Sequence, residues 1–271
     1  MVPGERVCAA RRREVSMLYV YAITADYAAG ANHLLPAEGI VPGVPVQRFG
    51  TGALGAVASP VPVTVFGKEA LHALLDDADW TRARILAHQR VVSSLLPLAT
   101  VLPLKFGTLV AGEASLAAAL TSQHDALEAT VARLRGAREW GVKLFFEAPT
   151  RTIRAEEPVG AGAGLAFFRR KKEEQETRAA AEAALDRCVA ASHRRLASHA
   201  RAAVANPLQP PELHGHPGTM GLNGAYLVAA ANEPEWRACL SELEQAYAAL
   251  GARYVRTGPW AAYNFTGGGL V

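Results

Sequence analysis

Cysteine is scarce in this chain: three in 271 residues, at Cys8, Cys188 and Cys239. None forms a CxxC pair, and an odd, sparse set argues against a disulfide framework and suits a reducing compartment. Aromatic residues are few, at 7%, so the large rings are expected where packing or recognition needs them. No apolar run reaches the eighteen or so residues that a membrane-spanning helix requires, and no membrane partner is expected. An excess of one charge is missing too. The 28 basic and 25 acidic residues give a net charge of +3, too little to argue for a nucleic-acid partner.

Catalytic and ligand-binding signatures are also wanting. There is no Gly-x-Ser-x-Gly elbow, and Cys188 stands mid-helix among alanines, where an inert buried thiol is expected. The glycine run 160–164 lacks the Gly-Lys-Ser/Thr ending of a phosphate cradle. His214-Gly-His216 sits in a proline-rich loop with no Cys or carboxylate at ligand spacing, so no metal site is read there. No cofactor is expected. A small-ligand or enzymatic alternative would have to use Glu139, Lys143 and the glycine run 160–164.

What the chain does have is alternating β and α signals. Residues 1–16, with Arg11-Arg12-Arg13, read as a disordered extension, and structure-like sequence starts at Met17, a plausible true start. Leu18–Thr24 is rich in β-branched and aromatic residues and reads as a strand. Val46–Phe49 and Leu54–Ala58 read as a hairpin around Gly50-Thr-Gly52, ended by Pro60 and Pro62. Lys68–Leu75 is a short helix. A longer one follows, capped by Asp79, with Ile85, Leu86, Val92, Leu95 and Leu96 as its apolar stripe. The run Thr100–Thr108 reads as a strand whose Pro103 places it at an edge or a bulge, with Leu104, Lys105 and Phe106 available to a partner.

Glu113–Leu134 reads as one helix and Trp140–Phe146 as a strand. A long helix then runs from about 165 or 168 to Ala205, packing antiparallel on 113–134 through its small residues. Near its start, Arg169-Arg170-Lys171-Lys172 precedes Glu173-Glu174-Gln175-Glu176, a spacing that suits i,i+4 pairs such as Arg169–Glu173 on a solvated face. Asn223–Ala230 is a strand and Glu233–Leu250 a helix with Asn232 as its cap. The chain closes on a strand at Tyr254-Val255, broken at Gly258-Pro259. Trp260, Tyr263 and Phe265 follow within six residues. Each of these rings could bury roughly 150–250 Å², so this terminus is expected to be pinned in a sheet or held by a partner.

The predicted class is α+β, in two domains: residues 17–110, and residues 111–271 with long packed helices. Each is expected to carry an antiparallel or mixed sheet related to the ferredoxin-like pattern.

Three ordered stretches carry a resemblance. Leu102-Pro-Leu-Lys-Phe-Gly-Thr108, Gly136-Ala-Arg-Glu-Trp-Gly-Val-Lys143 and Thr257-Gly-Pro-Trp-Ala-Ala-Tyr-Asn-Phe265 resemble the gas vesicle accessory proteins of the F/L family. Tyr19–Ile23, Asn223–Val228 and the basic cluster Arg169–Lys172 fit the same pattern, which covers 17–265. Two alanines, Ala261-Ala262, stand where that family usually has prolines, and residues 1–16 have no counterpart. The resemblance implies a non-enzymatic cytoplasmic protein of gas vesicle assembly, a two-domain relative of ferredoxin-like folds. Its implied partners are the small hydrophobic shell protein and other accessory proteins. Candidate contact residues are Leu104, Lys105, Phe106, Glu139, Trp140, Arg169, Arg170, Trp260, Tyr263 and Phe265. Whether Trp260 and Phe265 lock the last strand or touch a partner is open at this level.

Overall fold

Two antiparallel sheets, each with its own helices, make up the computed structural model, which describes residues 16–28, 30–50, 52–147 and 163–267. The chain divides into two units. One comprises the residues up to Arg135 together with those from Ala261 onward; the other is Gly136–Trp260. The division read from the sequence lay at 110/111. The observed one keeps the helical segment 113–134 with the first sheet and returns the end of the chain to it.

In the first unit the elements are β1 (Ser16–Ala25), β2 (Gln47–Phe49), β3 (Leu54–Pro62), α1 (Val63–Phe66), α2 (Lys68–Leu75), α3 (Ala78–Leu95), β4 (Thr100–Pro103), β5 (Leu109–Val110), α4 (Glu113–Ser122) and α5 (His124–Leu134). The sheet order is β2-β3-β1-β4, with β5 also paired to β1. β1 is buried from Leu18 to Ala25, as a β-branched and aromatic run is when both faces are covered. Tyr19 and Tyr21 share a cluster with Val57 and Val61 of β3, Phe66 of α1, and Val91, Val92 and Leu95 of α3.

Several local expectations are corrected here. β3 does not stop at Pro60 but runs on to Pro62, paired with β1 down to Ser16. β2 stops opposite Ala58, so both prolines lie where β3 has a neighbour on one side only and no N–H is missed. The cap of α3 is Asp77, whose side chain accepts from Asp79 N and Trp80 N at 3.0 Å each. The buried stripe of α3 is Ala87, His88, Val91, Val92 and Leu95, whereas Ile85 and Leu86 are exposed. A helix is broken at Gln123 where one was expected through 134. Thr121 and Ser122 bond their hydroxyls back to Ala117 O and Ala119 O, a local competition that bends or ends helices.

In the second unit the elements are β6 (Ala137–Phe146), α6 (Ala163–Ser198), β7 (Ala202–Ala205), α7 (Pro211–His214), β8 (Thr219–Ala229), α8 (Glu233–Tyr247) and β9 (Ala252–Trp260), with sheet order β7-β8-β6-β9. Trp140, Val142, Tyr226 and Val228 on one sheet face pack against Leu196 of α6 and Trp236, Cys239, Leu240 and Leu243 of α8. α6 therefore buries its stripe on its own sheet and on α8. It also ends at Ser198: Ala202–Ala205 is an edge strand paired with Gly224–Leu227, cross-strand pairing having overridden alanine's helix propensity.

β9 likewise runs through the expected break, to Trp260. Its register with β6 slips between Gly141↔Thr257 and Glu139↔Trp260, and the extra residues form a bulge at Gly258-Pro259. Among the described residues no helix is long and apolar enough to cross a membrane. The expected extension 1–16 lies outside the described residues except for Ser16, which opens β1.

Gly258 is required by the bulge on two counts. Its φ is +113°, a region that L side chains rarely enter, and an added Cβ would meet Glu139 O at 2.9 Å. Gly258→Ala is expected to destabilise the protein by about 1–3 kcal/mol, read as a lower urea midpoint or melting temperature; an unchanged midpoint would contradict the bulge.

Candidate functional site

The β2–β3 turn and α4 enclose an apolar groove of about 470 Å³, lined chiefly by Phe49, Leu54, Leu116, Ala117 and Leu120, with Glu113 and His124 also on its wall. On the turn side the Arg48 guanidinium donates to Gly50 O at 3.1 Å and Gly52 O at 3.3 Å and lies over the Tyr27 ring at 5.1 Å. On the helix side α4 contributes the buried Leu116 together with the small Ala117 and with Leu120 and Thr121. Small side chains on a helix beside a glycine turn make a trough that packs few atoms of its own. Chemically this is a site for apolar side chains, with a carboxylate and an imidazole at its border.

The residues singled out from the sequence are dispersed. β4 is an edge strand, pairing with β1 alone, and α5 packs on it. Leu104 is buried and its N donates to Tyr21 O at 2.9 Å. It is core, not an open contact. Lys105 is exposed, and Phe106 is half-buried, edge-on to Tyr19 at 6.1 Å.

Glu139 and Trp140 are both buried on β6, and strand alternation points them to opposite faces. Trp140 stacks on Trp236 at 6.0 Å, and the guanidiniums of Arg237 and Arg256 lie 4.8 Å and 5.2 Å from its ring centre. Lys143 donates to Gln209 Oε1 at 2.7 Å. Glu139 and Lys143 are absent from the groove lining, and glycines 160 and 162 of the proposed ligand loop lie outside the described residues. Arg169 is exposed on α6, and Arg170 pairs with Glu174 at 3.7 Å, an i,i+4 pair of the expected kind. His214 and His216 contact the Phe145 ring, at 5.0 Å and 4.8 Å.

The aromatic terminus divides between the units. Trp260 closes β9, 45% exposed, with its Nε1 donating to Thr257 Oγ1 at 3.2 Å. Ala261 and Ala262 are buried, Phe265 is half-buried, and Tyr263 reaches His88 in the first unit. His88 lies at the centre of a buried polar chain that the sequence reading missed. Its Nδ1 is 2.9 Å from Tyr19 Oη and its Nε2 is 3.1 Å from Tyr263 Oη, while Gly107 N donates to Tyr19 Oη at 3.1 Å. This suits a neutral ring that accepts at one nitrogen and donates at the other. Burial pushes the imidazole down to about 4, the Leu104 carbonyl pulling weakly the other way, and burial raises the Tyr19 hydroxyl well above its ordinary value. The available signal was a histidine at helical spacing from Val91, Val92 and Leu95.

Residues 17–267 match the family model described as "Gas vesicle synthesis protein GvpL/GvpF". The chain is 32% identical over 254 residues to "Gas vesicle protein L" of Streptomyces sp. (strain CB03234), with 92% of each chain covered. Two crystal structures share the fold. GvpF from Anabaena sp. PCC7120 superposes with a TM-score of 0.64 at 16% identity, covering 93% of this chain and 96% of that one. GvpF from Microcystis aeruginosa gives 0.61 at 18% identity, covering 93% and 99%.

The His88 chain sets a pH response. The unfolded chain takes up a proton on His88 below its ordinary value of 6.5, whereas the folded chain resists until about 4. Stability from this group is therefore complete above that upper value and falls as pH drops through the window, by roughly 3 kcal/mol in all. Urea titrations across this range should show the slope in the wild type and its loss in His88→Leu; equal slopes would contradict the assignment.

Proposed function

This chain belongs to the GvpL/GvpF family of gas vesicle synthesis proteins, and on that premise we propose that it is a non-enzymatic assembly factor. It holds the hydrophobic shell protein, together with other accessory proteins, until subunits join the growing wall. The observation that carries this reading is the apolar groove between the β2–β3 turn and α4. A shell subunit that aggregates through apolar surface needs a partner with an apolar trough of its own, rimmed by charge that discourages self-association. Glu113 supplies such a charge in the groove lining. The trough accepts a few large side chains from an amphipathic segment, the helix-in-groove mode of recognition. On this reading the protein works in the cytoplasm, at the site of vesicle growth.

We also read the two units as variants of one ferredoxin-like plan. The second unit runs β-α-β-β-α-β, apart from the short α7, with the sheet order fourth-first-third-second, and this supports the relation. The first sheet has the same order, with a loop carrying one 3-10 turn, Ala31–Leu34, where the first crossover helix would be.

The groove is tested by filling it with charge. Ala117 is exposed and Leu120 half-buried, so Ala117→Glu/Leu120→Glu is expected to fold with little change in melting temperature. Co-expressed with the shell protein, the wild type should keep the subunit in the soluble fraction. The double variant should lose most of it, by tenfold or more if about 1.4 kcal/mol or more of groove contact is removed. Equal retention by a folded variant would remove the groove from the account.

A further inference from the structure

The first half of α6 stands in solvent and carries a composition unlike that of the second half. From Phe167 to Ala183 every residue except the half-buried Arg170 is exposed, whereas beyond Leu185 the same helix buries Cys188, Ser192 and Leu196. Isolated helices of this length are marginal in water. Ion pairs at i,i+4 spacing help, between Arg170 and Glu174, Lys172 and Glu176, and Arg178 and Glu182. They do not account for two adjacent exposed rings. Phe168 is 69% exposed and Phe167 46%, on a stretch that otherwise holds charged residues, alanines, Gln175 and Thr177.

The charges are arranged in blocks. Arg169, Arg170, Lys171 and Lys172 come first, then Glu173, Glu174 and Glu176. A basic block followed directly by an acidic one is complementary to itself only when reversed. Laid antiparallel about a two-fold axis at the 172/173 junction, each basic block faces the other copy's acidic block. A parallel arrangement sets like against like. The same axis brings Phe167 and Phe168 of each copy to within about one turn of Ala179-Ala180-Ala181 of the other, where small side chains leave room for rings. Charge and shape thus select one partner in one orientation.

We propose that the exposed first half of α6 pairs antiparallel with the same segment of a second copy of this chain. The contact is isologous, as a two-fold dimer requires. Its length, roughly 25 Å of helix from 167 to 183, puts it at the small end of specific interfaces. The dimer is therefore reversible, and it weakens as salt screens the facing blocks. The pairing goes beyond the assembly role proposed above.

The test is the mass of the full chain in solution, by sedimentation equilibrium or light scattering. In low salt the wild type should rise from one chain to two as its concentration is raised through the micromolar range, and fall back at high salt. Reversal of the basic block (R169E/R170E/K171E/K172E) and of the acidic block (E173K/E174K/E176K) should each give a monomer. An equimolar mixture of the two variants should restore the dimer, because an all-acidic arm then meets an all-basic one. The mixture guards against a variant whose arm frays alone. A wild type that stays monomeric throughout, variants that dimerise like the wild type, or a mixture that remains monomeric would each overturn the proposal.

Discussion

A neutral imidazole in the core of the first unit is the constraint on which this architecture turns. His88 is buried with one ring nitrogen near Tyr19 of the central strand and the other near Tyr263 of the C-terminal segment. Charging it would place an uncompensated cation among Tyr19, Tyr21 and Phe106, so the ring is held neutral and its two nitrogens are matched to two hydroxyls. One side chain thereby ties α3, β1 and the last residues of the chain into one core. Because those last residues follow β9, the final strand of the second unit, the chain passes between units twice, after Arg135 and after Trp260. The second unit is in effect an insertion into the first.

That arrangement explains the odd composition of the chain terminus. Trp260, Tyr263 and Phe265 read in sequence as one aromatic cluster, but they serve two different bodies. Trp260 finishes the second sheet, braced on Thr257, and Tyr263 completes the polar chain of the first. The residues buried most deeply between them are the alanines at 261 and 262. Ala261 packs in the cluster of Tyr19 and its neighbours.

Strands were legible where burial on both faces leaves no choice of residue, as at Leu18–Thr24 and at the apolar end of β6. So was the α+β class, and the family resemblance marked nearly the whole chain. Two of the errors have one cause in common: alanine. It carries little periodic signal, so Ala202–Ala205 read as helix although its neighbours recruit it as a strand. The break at Gln123 was hidden in an alanine-rich run. The groove was invisible because it is made of what α4 and the glycine turn lack. In α3 Val92 and Leu95 were legible as core, whereas Ile85 and Leu86 outrank His88 on any hydrophobicity scale and drew the first half of the stripe away from it. Burial there is decided by a hydrogen-bonded histidine instead.

The central claim is that a trough left open by small residues receives an apolar segment of the shell protein, on a sheet kept rigid by the His88 chain. Hydrogen–deuterium exchange of the full chain, with and without the co-expressed shell protein, tests this most directly. The account predicts new protection concentrated at residues 47–54 and 113–124, with little change along β4. Protection confined to other surfaces, or none at all in a complex that demonstrably forms, would contradict it.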